Sequence, residues 1–198
     1  HTLGAVLPDL ASMARVRPDR ERLPAAVRAG VRCHVVTDAA FHAHPAFRSG
    51  AAALRDELVG EGLAVGPARA VGHVGWELLL DGTLVGGPDD EALSAALGRA
   101  EVALDALDEP GRRRWRRLLA HRPLRLRYDD PWWIAERLVA ILGDRPRLRV
   151  PPDRLPTVGR ALERHAAAVA AAAAAVLADT SAAVRARPIG SPGRPSRG

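Results

Sequence analysis

The sequence predicts an all-α fold, a single-domain helical bundle, and three observations carry that reading. Apolar residues recur three or four apart along most of the chain. Aromatic residues make up only 4% and prolines number 16, which argues against aromatic-rich strands. Alanine, the strongest helix former, fills a long stretch near the C-terminus. The 198 residues, 47% of them apolar, suffice to bury one sizeable core, and a charged fraction of 26% is that of a globular chain.

The first helical pattern covers residues 23–38, where Val27, Val31, His34, Val35 and Asp38 share a face. Pro45 opens a second helix through Leu54 and Leu58, stopped by Gly60 and Gly62. A third starts at Pro67 and carries Val71, Val74, Leu78 and Asp81 up to Gly82, with room for a short hairpin only over residues 82–87. Asp89 or Asp90 caps a fourth, running through Leu93, Leu97, Leu104 and Leu107 to a break at Pro110 and Gly111, after which an arginine-rich helix resumes. Asp130 and Pro131 open a helix ending at Gly143, and a last one spans residues 153–184 with Leu155, Leu162, Val169, Val176 and Leu177 as its apolar stripe. The expected domain is therefore residues 1–184, followed by a disordered Pro/Gly/Arg tail over 185–198.

Charge narrows the function classes. All 29 basic residues are arginine, a compositional bias that discounts any single arginine cluster. Without the four arginines of the last fourteen residues, the formal charge of +6 falls to +2, too little for a broad duplex-binding footprint, so nucleic acid is not favoured. The lone Cys33 forms no intramolecular disulfide and fits a reducing, cytoplasmic setting; beside His34 it reads as a small apolar residue rather than a nucleophile. The alanine run over residues 166–178 is too short and too weakly hydrophobic to cross a bilayer, so no membrane association is expected.

The chemistry-bearing residues concentrate early. Four histidines, His34, His42, His44 and His73, lie close in sequence to carboxylates. His34 and Asp38 are four apart, as are His73 and Glu77, and Glu77 and Asp81, so each set projects from one side of its helix. Imidazole and carboxylate at that spacing bind divalent ions such as zinc, manganese or iron, although the same spacing also makes ordinary helix-surface ion pairs. Asp9, beside a turn signal at Gly4 and Pro8, either completes the site or caps the following helix. His44 before Pro45 is equally a turn residue, and His121 and His165 have no companion acid at ligand spacing.

Taken in order, GAVLPDL, GVRCHVVTDAAFHAHP and HVGWELLLD resemble the acyl-carrier-protein phosphodiesterase family, an all-helical group related in design to HD-type metal phosphohydrolases. Gly4, Leu7 and Asp9 match its first element, and Gly30, His34, Asp38, His44 and Pro45 match the second at the family's intervals. In the third, His73 and Glu77 stand where the family has two aspartates; Ala5, Val35, His42 and Leu78 replace its asparagine, arginine, aspartate and histidine. The exchange of carboxylate for imidazole at two positions favours a softer ion, zinc or iron, over magnesium.

The resemblance implies a divalent metal ion (Mn, Fe or Zn) and hydrolysis of a phosphodiester, with release of 4'-phosphopantetheine from a carrier protein. His34, Asp38 and His73 are then the first ligands, with Asp9, His42, Glu77 and Asp81 as supporting members, and Asp38 or Glu77 orients the nucleophilic water or takes its proton. Arg112, Arg113, Arg114, Arg116 and Arg117 read as a solvated face or as a dock for an acidic carrier protein. Trp132 and Trp133 read as core or helix-start packing. The alternatives are a catalytically drifted helical binding module, or a hydrolase of another phosphoester such as a nucleotide or phospholipid.

Overall fold

The computed structural model describes residues 2–84, 95–120 and 127–186; these are helical with turns, and no strand occurs among them. The first helix, α1 (Thr2–Ala14), contains Pro8, so the expected turn at Gly4 to Pro8 is instead continuous helix and Asp9 lies within it rather than capping its start. Pro8 forgoes the backbone bond to the Gly4 carbonyl, and packing compensates: Leu3, Leu7, Ala11 and Ala14 are buried. Gly4 is required by that packing, because a Cβ there would sit 2.0 Å from the Val27 carbonyl oxygen of the next helix. The helix ends at Arg15, in the left-handed region with φ 53°, and the Val16 N–H bonds back to the Ala11 carbonyl at 2.9 Å.

The second helix, α2 (Ala25–Ala43), extends past the expected end at Asp38 and so carries His34, Asp38 and His42 one turn apart. Helix α3 (Pro45–Gly60) buries the expected Leu54 and Leu58, whereas α4 (Val65–Gly82) starts two residues before Pro67 and buries Val71 with Gly75, Trp76, Leu79 and Leu80, leaving Val74 and Leu78 half-buried and Asp81 exposed. The His44 Nδ1 accepts a hydrogen bond from the Ala46 N–H at 3.2 Å and caps α3. The expected helix before Pro110 lies in part outside the described residues. Its later portion is 3-10 helix, Ala100–Ala106, in which Ala100, Ala103 and Ala106 are all buried. Side chains three apart eclipse in a 3-10 helix, and methyl groups tolerate this. The arginine run forms α5 (Glu109–Ala120), α6 (Pro131–Gly143) is capped by Asp130, and α7 spans Leu155–Ala186. Arg185 and Ala186 therefore continue α7 beyond the domain boundary read from composition; residues 187–198 of the expected tail lie outside the described residues.

Among the described residues two apolar clusters hold the bundle. The larger joins α3, α4, α6 and α7 through Leu54, Leu58, Val71, Ile134, Leu138 and Leu162. The smaller joins α1, the start of α2, the 3-10 segment and α5 around Trp115, whose indole N–H donates to the Ala100 carbonyl at 3.0 Å. Helix α2 packs on both α1 and α7 and thus spans the two clusters. The last helical stretch, Pro152–Ala186, holds an 18-residue window of mean hydropathy 1.7 and is by length and composition able to cross a membrane, since it is much longer than its alanine run. Its Val158, Leu162, Val169 and Val176 are nonetheless buried among the other helices. Trp133 packs against the larger cluster and Trp132 lies at the surface against Gly159.

Candidate metal site

Three helices meet around a set of imidazoles and carboxylates. From α2, His42 directs Nε2 at the Glu77 Oε1 of α4 across 2.6 Å. From α4, His73 brings its own Nε2 to 3.2 Å from the same oxygen. One donor atom from each of His42, His73 and Glu77 can be chosen so that all lie within 4.8 Å of one another, the compactness one cation requires. The imidazole rings stand 4.7 Å apart, and Phe47 packs on both, at 5.0 Å from His42 and 5.1 Å from His73. Two neutral imidazoles and a carboxylate fit zinc, iron or manganese, and three protein ligands leave a coordination position for water.

Around this triad lie the remaining sequence candidates. Asp38, one turn before His42, places Oδ1 3.3 Å from the other ring nitrogen, Nδ1. A carboxylate there fixes the tautomer that leaves Nε2 free to bind a metal, so Asp38 acts behind His42 rather than within the compact set. Asp9 of α1 faces His34 of α2 at 3.8 Å, forming a pair beside the triad. The weight thus shifts from His34 and Asp38 to His42 and Glu77 as the groups placed with His73.

The electrostatics follow from this crowding. Burial is the largest influence on Glu77 and raises it, but the hydrogen bonds and charges of His73 and His42 together carry its carboxyl below the ordinary value. The hydrogen bond to Glu77, and then the charges of Glu77 and Asp38, hold His73 above its ordinary value against partial desolvation and Arg69. Desolvation raises Asp9; Glu77 and Asp38 add to this, while His34 and His42 oppose it. Asp81 reaches the surface, yet the surrounding protein shields it from bulk water, and with the like charges of Glu77 and Asp9 this pushes its carboxyl up to about 7.

Sequence spacing did not find Tyr128. The Asp130 N–H bonds to the Arg127 carbonyl at 3.0 Å, and Asp130 Oδ1 accepts from the Trp132 and Trp133 N–H groups, so the chain turns just before α6. The Tyr128 ring lies edge-on to Trp133, and Gly82 at the end of α4 approaches its carbonyl so closely that a Cβ would lie 2.1 Å away. Burial first, then the charges of Asp81 and Asp9, push its phenol up to about 12. Only the chain's return after α5 brings this residue to the carboxylates, so no local pattern announces it.

Other histidines serve the scaffold. His44, besides capping α3, places Nε2 3.3 Å from Asp179 of α7. His165, which lacks a companion acid in sequence, finds Glu57 of α3 at 2.8 Å, and Arg164 bonds both Glu57 and Glu61, tying α3 to α7. His121 lies outside the described residues. Cys33 is half-buried on α2 and unpaired by any disulfide. On α5, Arg112 donates Nε–H to the Leu104 and Leu107 carbonyls at 3.0 and 3.1 Å, and Glu109 pairs with Arg112 and Arg113, so part of the arginine run is committed to the fold.

Comparison with protein-family models, with curated proteins and with solved structures finds no match to this chain.

Proposed function

We propose that this protein is a divalent-metal-dependent phosphodiester hydrolase, in the manner of the HD-like acyl-carrier-protein phosphodiesterases that its three motifs resemble. What carries the reading is the convergence of His42, His73 and Glu77 on one point, with Asp38 behind His42 and Asp9, His34 and Asp81 alongside. A bound cation supplies Lewis acidity at the phosphoryl oxygen and acidifies water towards neutrality. Glu77, kept ionised by its two imidazole partners, serves as a ligand. Asp38 orients His42 through Nδ1. Asp9 and Asp81 flank the triad as the carboxylates available to orient water and accept its proton; a cation's charge would oppose the crowding that raises both. Phe47 and the partly buried Phe41 wall the imidazoles.

The proposed substrate is a carrier protein bearing phosphopantetheine, its acidic surface meeting the exposed guanidiniums of α5. Positive charge there acts chiefly on the association rate.

The test is hydrolysis of an aryl phosphodiester and of a holo carrier protein by chain stripped of metal and reloaded with zinc, manganese or iron. Metal-dependent turnover of both is expected. Reversing charge at Arg113 and Arg117 is expected to slow the carrier-protein reaction at low salt and leave the aryl substrate unaffected. Bound metal without turnover of either substrate would contradict the reading.

A further inference from the structure

At the end of α1, away from the imidazoles, the chain makes a cleft of about 550 Å³ lined by Arg15, Arg17, Arg22 and Arg114 over a floor that includes the buried Val16 and Leu107. Arg17, Arg22 and Arg114 are exposed and have no ion pair among the described residues, while Arg15 donates Nη2–H to the Asp144 carbonyl at 3.4 Å and lies 3.9 Å from its carboxylate.

The cleft's two acids are occupied by the backbone. The Asp19 Oδ1 accepts from the Glu21 N–H at 3.0 Å, and its own N–H donates to the Ala106 carbonyl at 2.7 Å. The Asp108 Oδ1 accepts from the Gly111 N–H at 2.8 Å. Both carboxylates are thus oriented as caps, and four guanidiniums face two anchored acids. The arginines come from separate segments: the loop following α1, the 3-10 turn Arg20–Arg22 and α5. Their convergence is therefore tertiary and is not a consequence of one arginine-rich run.

We infer that this cleft binds an oligophosphate, its phosphates bridged by Arg15, Arg17, Arg22 and Arg114. Guanidinium forks match phosphate oxygens bidentately, and three or four linked phosphates supply enough acceptors to engage arginines from separate elements at once. A second cavity of about 310 Å³ shares Arg114 and adds Met13 and Leu118 as apolar walls, so the oligophosphate arrives either free or as part of a nucleotide whose base lies on that side. This site uses none of the triad's residues; it shares Arg114 with the α5 face proposed to meet the carrier protein.

Calorimetric titration of the full chain in excess chelator, with inorganic tripolyphosphate in one arm and ATP in the other, tests it. Saturable binding of tripolyphosphate at one site is expected. Arg22→Gln or Arg114→Gln should weaken it roughly tenfold each, as expected for losing a charged hydrogen-bond donor, with unchanged melting profiles. Glu77→Gln should leave it unchanged. Tighter binding of ATP identifies a nucleotide as the source, and equal binding identifies free oligophosphate. Absence of saturable binding, full binding by the Arg22→Gln/Arg114→Gln double variant, or loss on Glu77→Gln alone would overturn the inference.

Discussion

Glu77→Gln removes charge from the centre of the site while keeping its shape, and its effect on stability has a definite pH dependence. In the metal-free protein the Glu77 carboxyl lies below its ordinary value of 4.5, so the stabilisation it contributes is present above that value and is lost as pH falls through the folded one. His73 lies above its ordinary 6.5, so its contribution is complete below 6.5 and disappears as pH rises through the folded value. The two overlap between 4.5 and 6.5, where Glu77 is charged and His73 protonated. A charged hydrogen bond in a buried site contributes about 1.5–3 kcal/mol. The His73 side chain is 47% exposed, and screening reduces the coupling to about 1 kcal/mol. Urea unfolding in chelator should therefore show Glu77→Gln less stable by about 1 kcal/mol at pH 5.5 and by less at pH 9, because the contribution of His73 fades as rising pH removes its proton. An equal loss at both pH values would show that Glu77 and His73 are not coupled. Zinc affinity, measured by competition with a chromophoric chelator at pH 7, should fall by about 100-fold or more on loss of a ligand, since even indirect partners of a metal cost 10–100-fold.

Three further outcomes follow from the same geometry. Carboxyl-carbon NMR of the metal-free protein should place the Asp81 titration near 7, and zinc should lower it, because a nearby cation favours the ionised form. Gly4→Ala should cost about 3 kcal/mol in urea unfolding, because its Cβ meets the Val27 carbonyl and α1 and α2 must separate. Trp115→Phe should cost about 1–3 kcal/mol by the same measurement, since it leaves the buried Ala100 carbonyl without its indole donor and opens a gap.

Helices α3, α4, α6 and α7 were legible because each carries an apolar stripe, and His44, Asp130 and the prolines mark their starts. Local patterns also placed His73 and Glu77 on one face of α4. They failed where tertiary packing overrode them. Pro8 reads as a turn, yet close contact between Gly4 and α2 keeps α1 helical around it. Ala100, Ala103 and Ala106 fit either helical period, and burial against Trp115 accompanies the 3-10 form. The apolar spacing ends α2 at Asp38, five residues before its observed end at Ala43, and so does not show the alignment of His42 with Asp38. His42 meets Glu77 only because α2 and α4 approach each other, and Tyr128 joins the carboxylates only through the return of the chain before α6. Neither contact has a signature in spacing.

The hydrolase reading requires one cation among His42, His73 and Glu77. Anomalous diffraction from crystals grown with stoichiometric zinc tests it directly. A single zinc peak bonded to His42 Nε2, His73 Nε2 and the Glu77 carboxylate, with Asp38 on His42 Nδ1, is the expected result. A triad that stays hydrogen-bonded to itself with no peak between its side chains, or a zinc ion held elsewhere on the chain, would contradict it.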